Sequence, residues 1–177
     1  AVFVVVGALL EGRAGIETLS GLTTIDLEQA VVITVAGGLT VTIMTFFGLP
    51  VSTSQAAVGA ILGIGFFNQE LNVADLGKVV ACWFGTPVGA VLVALVLYKA
   101  LAFVYNRLQI TLFQADILLR AALVVAGSYA AYALGANNVA NVTAVFVGAG
   151  TLTVFAAALI GGLSIALGVV TYSRGVM

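Results

Sequence analysis

The chain's few charges divide it into long apolar runs, and those runs decide which folds are open to it. Segments 29–49, 79–104 and 152–172 hold enough mostly apolar residues, as helix, to cross about 30 Å of hydrocarbon. Segments 1–10, 56–67 and 139–149 are too short for that, and segment 117–134 continues toward 139–149. Only 7% of the 177 residues are charged and 62% are hydrophobic, with a mean hydropathy of +1.23. Soluble domains carry about 25% charged residues. The expected class is therefore an all-α, polytopic membrane protein, multi-pass in the cell (plasma) membrane.

Composition removes several functions. There is no histidine, which excludes bis-histidine haem, His-based zinc and Ser-His catalysis within the chain. Ser52 or Ser54 as a hydrolase nucleophile would need a positioned base, and the lysines, Lys78 and Lys99, sit at segment ends. The chain is read as no enzyme. Cys82 is the sole cysteine, so no internal disulfide forms, and a buried thiol is expected. Six basic against seven acidic residues give no reason to expect a nucleic-acid partner. The opening run, "AVFVVVGALL", lacks a basic start, so a signal peptide is not expected, and the chain reads as a fragment entered partway along a helix.

Basic residues orient the segments. Lys99, Arg107 and Arg120 flank the connector 105–116, which is expected in the cytoplasm. Loops 11–28 and 68–78 are expected outside, so 29–67 must cross an even number of times, as two spans or a re-entrant hairpin turning near Gly48-Leu49-Pro50. Pro50 lacks an amide donor and biases Leu49 away from helix, which places a break there. Residues 117–149 are expected to cross once as a helix interrupted at "GANN", and 152–172 returns with Arg174 on the cytoplasmic side. No charged side chain is expected near the middle of these spans. Two GxxxG pairs, Gly59/Gly63 and Gly85/Gly89, predict close helix packing, and Pro87 predicts a kink.

Two polar clusters stand out. "PVSTSQ" puts Ser52, Thr53, Ser54 and Gln55 behind Pro50, between apolar stretches. A helix restarting there points free N–H groups and the positive end of its dipole into the break. The hydroxyls and the Gln55 amide add uncharged donors, which suits a tetrahedral oxyanion that must bind and then leave. Capping of the next helix is the simpler alternative. "GANNVAN" offers Asn137, Asn138 and Asn141, with Asn137 and Asn141 on one helical face at i,i+4. Amide oxygens suit a hard cation and the NH2 ends an anion, while interhelical hydrogen bonding is the alternative. Segment "AVFVVVGALL" also has a loose counterpart in "TVFAAALIGGL" of opposite expected direction. Inverted repeats with broken helices place a transporter's site at the bilayer midplane.

"GLPVSTSQAAVGAILGIG" resembles the "PVSTTHxxVGAxxGxG" signature of the inorganic phosphate transporter (PiT) family, and "GANNVANVTAVFVGAG" resembles its "GANDVANAxGP" signature. The resemblance implies two inverted repeats, with residues 1–104 the later part of the first, 105–116 a connector and 117–177 the early part of the second. It implies anion contacts from Ser52, Thr53 and Ser54, and anion or cation contacts from Asn137, Asn138 and Asn141. Asn138 and Asn141 are the expected cation contacts. Gln55, counted with the substrate site, stands where the family usually has His, and Asn138 where it usually has Asp. Both departures remove titratable groups. The function implied is secondary transport of inorganic phosphate, with sulfate as the alternative anion, in symport with sodium or protons. No cofactor beyond a coupling sodium is expected. The other expected partners are the lipid bilayer and a second copy of the chain. A non-transporting subunit of a membrane complex is the third reading.

Overall fold

A computed structural model describes residues 1–108 and 111–172. Arg174, expected on the cytoplasmic side, lies outside the described residues. The described chain is helical: α1 (Val2–Ser20), α2 (Leu27–Phe46), α3 (Thr53–Asn68), α4 (Val73–Arg107), α5 (Leu112–Gly148) and α6 (Val154–Tyr172). Four of these, α2, α4, α5 and α6, are long and apolar enough to cross a membrane. This is the all-α, multi-pass architecture that the apolar runs require.

The helices form two compact units. One comprises 1–75 and 128–177, the other 76–127. The second unit carries most of α4 and the first part of α5. Pro87 lies inside α4, which continues through it, and the Cys82 thiol is exposed on the same helix rather than buried. The connector between α4 and α5 is shorter than the expected 105–116, because α4 runs to Arg107 and α5 begins at Leu112. Thr111 and Gln114 cap that start reciprocally: the Gln114 amide donates to the Thr111 hydroxyl at 3.4 Å and the Thr111 amide to the Gln114 side chain at 2.9 Å.

The first unit contains a three-helix core. Val4, Ala8 and Ile16 of α1 are buried together with Val139, Ala140 and Ala144 of α5 and Ala157 and Ala158 of α6. Glycines decide how close these helices come. A Cβ on Gly135 would overlap the Val4 carbonyl oxygen, and one on Gly7 would overlap the Tyr132 carbonyl oxygen. Here α1 and α5 touch backbone to backbone, the approach that small residues permit. Farther along, Gly12 meets Val139, Gly15 meets Ala140 and Gly148 meets Ser20, so α1 and this part of α5 run parallel. Gly161 of α6 lies against Val139 and Thr143, and Gly162 against Ala8. The turn between α5 and α6 reverses the chain at Gly150, whose φ of +69° is the left-handed conformation glycine adopts without strain. Helix α6 therefore runs antiparallel to both neighbours.

Two sequence expectations fail at these contacts. Residues 11–20, expected in a loop, are helical, because Gly12, Ile16 and Leu19 are buried along α1 and Arg13 pairs with Glu17 at 2.7 Å. Likewise, the expected GxxxG pairs are not the packing glycines: nothing lies within 4 Å of a Cβ on Gly59, Gly63, Gly85 or Gly89.

Helices α2 and α3 form a hairpin. The amide of Leu49 bonds the Met44 carbonyl at 2.9 Å and that of Gly48 bonds Thr45 at 3.0 Å, with Gly48 at φ +66°. This closing motif ends α2, and Pro50 prevents continuation. The open ends of the hairpin are tied together. The Thr23 hydroxyl donates to the Glu70 carbonyl, the Thr24 hydroxyl to the Glu70 carboxylate, and the Asn72 amide to the Leu22 carbonyl. Both loops thus lie on one side, as the parity of crossings demands.

Replacing Gly135 or Gly7 by Val should cost about 1–3 kcal/mol or more through overpacking, lowering the melting temperature of detergent-purified protein or abolishing its folding. Gly63→Ala should leave the melting temperature within a few degrees. Equal behaviour of the two classes would contradict the packing described.

Candidate functional site

Helix α3 begins where Pro50 has broken the chain. Ser52 is its N-cap, with its hydroxyl oxygen accepting from the Gln55 amide at 3.3 Å, and the Ser52 carbonyl accepts from the Ala56 amide at 3.0 Å. The amides of Thr53 and Ser54 come earlier in the helix and lack intrahelical partners by position. The capping alternative is therefore real for Ser52, yet it uses only one of the four polar side chains.

Thr53 and Ser54 turn instead to the second cluster. The Thr53 hydroxyl donates to Asn138 Oδ1 at 2.9 Å, and Asn141 Nδ2 donates to Ser54 Oγ at 2.9 Å. A third bond, Asn141 Nδ2 to Asn138 Oδ1 at 3.2 Å, joins the two amides. Asn138 Nδ2 donates to the Leu134 carbonyl at 3.1 Å, which fixes the side chain one turn back along α5. Segments more than 80 residues apart thus share one polar network, with |i−j| of 85 and 87 for the bonds that cross it.

Its local geometry differs from the expectation in two ways. Helix α5 is continuous through 135–141, so "GANN" is no break. The physical reason is that Gly135 serves close approach to Val4, with its φ outside the left-handed region, and Asn138 bonds back to its own helix. Second, the asparagines that act together are Asn138 and Asn141, at i,i+3, and not Asn137 and Asn141. Asn137 is exposed, as is Gln55, and among the described residues no side-chain hydrogen bond joins either to the network.

The register of α6 sets the depth of the site. Its apolar window, Val154–Thr171, is about 27 Å long at 1.5 Å per residue, close to the hydrocarbon thickness. Gly161 lies in the middle of that window and touches Val139, the neighbour of Asn138. The network therefore sits in the membrane interior, where unsatisfied polar groups are expensive.

Beside it is a cavity of about 370 Å³, lined by Thr53, Ala57 and Asn141 together with Gly37, Gly38 and Thr42 of α2. A water occupies about 30 Å³ in the liquid, so the space admits a small hydrated ion. The Thr42 hydroxyl donates to the Gly38 carbonyl at 2.8 Å and so presents its lone pairs outward. The hydroxyls of Ser52 and Ser54 accept bonds within the network and at the helix start without donating one among the described residues, and neither residue lines the cavity. The sequence missed the contribution of α2, whose only signal was the paired glycines Gly37 and Gly38 among threonines. Among the described residues, no group of three or more Asp, Glu, His or Cys side chains is placed to hold a metal ion.

The family model described as "Phosphate transporter family" matches residues 1–94. The sulfate permease of Bacillus subtilis is 33% identical over 181 aligned residues, spanning all of this chain and 51% of its own length. A Methanocaldococcus jannaschii protein described as a phosphate permease is 36% identical over 101 residues, 56% of this chain and 34% of its own length. A Haemophilus influenzae protein of the same description is 30% identical over 106 residues, 58% of this chain and 25% of its own length. The chain thus spans about half the length of the first of these relatives and less of the others. No solved structure matches it.

A double-mutant cycle with Thr53→Val and Asn138→Ala should give a coupling of about 0.6 kcal/mol, up to about 1.7, in thermal or denaturant unfolding. Thr53→Val with Asn137→Ala should give additive effects. Equal coupling for both pairs would remove the assignment of Asn138 as the Thr53 partner.

Proposed function

Because this chain belongs to the phosphate transporter family, we propose that it carries part of the substrate path of a secondary transporter for inorganic phosphate. The observation that supports this most directly is the network joining Thr53 and Ser54 to Asn138 and Asn141 beside a cavity in the membrane interior. The free N–H groups and positive dipole end of α3 favour an anion. Donors that carry no charge bind the anion without holding it as tightly as a lysine or arginine would. The anion meets Ser52, Thr53 and Ser54 at the helix start, with Gln55, Asn137 and Asn138 as the further expected contacts. The amide oxygens of Asn138 and Asn141 are the groups suited to a coupling sodium. Uphill transport is driven by a sodium or proton gradient, and a second copy of the chain is the expected partner in the membrane.

An inverted repeat fits the antiparallel placement of α1 and α6, whose sequences share the loose theme noted above. Sulfate is the second reading. It is favoured by the match to the sulfate permease, which covers all of this chain and 51% of the permease, and by the lack of any carboxylate in the network to accept a proton from hydrogen phosphate. Sulfate needs only donors.

In the full-length protein, Thr53→Ala with Ser54→Ala should reduce uptake of labelled phosphate at least tenfold while membrane insertion is preserved. Uptake by the wild type in the presence of excess unlabelled sulfate decides between the anions. Phosphate uptake unmoved by the double substitution would refute the site.

A further inference from the structure

The hydrogen bonds around the cavity beside the network leave its walls with one kind of polar group. The Leu134 carbonyl can only accept, so Asn138 turns Nδ2 toward it and Oδ1 toward Thr53 and Asn141. The Thr53 hydroxyl must then donate, and it does so to Asn138 Oδ1 at 2.9 Å. Asn141 likewise turns Nδ2 into the network, where bonds to Ser54 Oγ at 2.9 Å and Asn138 Oδ1 at 3.2 Å use both of its N–H groups. On α2, the Thr34 hydroxyl donates back to the Ala30 carbonyl and the Thr42 hydroxyl to the Gly38 carbonyl, each at 2.8 Å.

Thr34, Thr42, Thr53 and Asn141 are the polar side chains that line the cavity, and the rest of its lining is glycine or aliphatic. Every side-chain donor among the four is engaged. Their oxygens accept no hydrogen bond among the described residues, so what the walls offer is lone pairs. An oxyanion inside would meet acceptors only, whereas a cation would find ligands. No lining side chain is ionisable, so a proton has no base to occupy. A divalent ion would lack the carboxylates it ordinarily takes.

Three of these oxygens share one end of the cavity. A Cβ on Gly37 would lie 3.9 Å from the Ala57 Cα, which sets α2 and α3 level at that point. Toward the hairpin turn, Thr42 is about 7.5 Å farther along α2 and Thr53 about 6 Å farther along α3, at 1.5 Å per residue. Asn141 joins them there through its bond to Ser54. Thr34 lies toward the other end, about 12 Å from Thr42 along the axis.

We infer that the turn end of this cavity binds an alkali-metal cation, with the oxygens of Thr42, Thr53 and Asn141 as ligands and water completing its shell. The inference rests on the transport reading above and supplies its coupling ion. Thr42 belongs to neither polar motif and is the ligand that α2 contributes. The anion position at the start of α3 adjoins this site, because Thr53 belongs to both. Either charge alone is disfavoured in the membrane interior, and together they offset each other. Each ion therefore raises affinity for the other by the same factor.

The test follows thermal unfolding of the purified full-length protein as sodium or potassium replaces choline at constant ionic strength, with phosphate, with sulfate and with neither. At least one of the two cations should raise the melting temperature, with a lower half-maximal concentration when an anion is present. Thr42→Val should raise that concentration at least tenfold, and Thr42→Ser should restore it. The Thr40 hydroxyl bonds back to Ala36 in the same way but does not line the cavity, so Thr40→Val should leave it unchanged. An unmoved half-maximal concentration in Thr42→Val would overturn the proposal, as would stabilisation by neither cation. If Thr42→Val fails to fold, Thr42→Ala carries the comparison. Counterflow of labelled anion in liposomes separates this inference from the reading beneath it. Equal counterflow in choline and in alkali salt overturns the inference alone. Cation stabilisation without counterflow removes the transport reading and leaves the cation site standing.

Discussion

Helices α1 and α5 meet with no side chain between them, Gly135 against the Val4 carbonyl and Gly7 against the Tyr132 carbonyl. In hydrocarbon, where apolar surface gains little by leaving lipid, dispersion contact between closely approaching backbones is the main attraction left. That contact fixes the height of α5 relative to α1. It also fixes what α5 presents to the rest of its unit, with Val139 and Thr143 toward α6 and Asn138 and Asn141 toward α3. The parallel run of α1 and α5 and the antiparallel return of α6 follow from it and from the turn at Gly150.

On this frame the polar network is a consequence of two constraints acting together. Pro50 ends one helix and lets another begin inside the membrane, which frees amides that need partners. Helix α5 brings two asparagines to that point, each using its amide for more than one bond. The result is a site rich in hydrogen-bonding groups without a formal charge. Such a site can exchange its internal bonds for bonds to an oxyanion at modest net cost, because each of them is a weak interaction that a ligand oxygen can replace. Ser52 has an additional task, since its hydroxyl oxygen also caps the start of α3.

Much of this was legible in the order of residues. The break at Pro50, the polar start of α3 and the lengths of the apolar helices follow from the chemistry of single residues: a missing amide, short hydroxyl side chains, and the 1.5 Å rise per residue. The evenness of crossings in 29–67 followed from the charges, and the bonds between Thr23, Thr24 and Glu70 close the hairpin on one side accordingly. The motif "GANN" has the sequence of a break and is continuous helix. A glycine flanked by amides has the same local chemistry whether it bends the chain or lies flat against a neighbour.

The sequence by itself determined that the chain is a set of apolar helices, where one of them must end, and which side chains could serve an anion. Those properties are local, set by a residue and its few neighbours in the chain. Only the tertiary structure decided that Asn138 and Asn141 face α3 while Asn137 does not, and that Gly7 and Gly135 carry the packing while Gly59 and Gly63 do not. Each of these depends on what stands opposite a residue across a helix interface, and in a chain this apolar nearly every face is equally greasy. Periodicity therefore cannot say which face is turned inward; the contact of one backbone with another does.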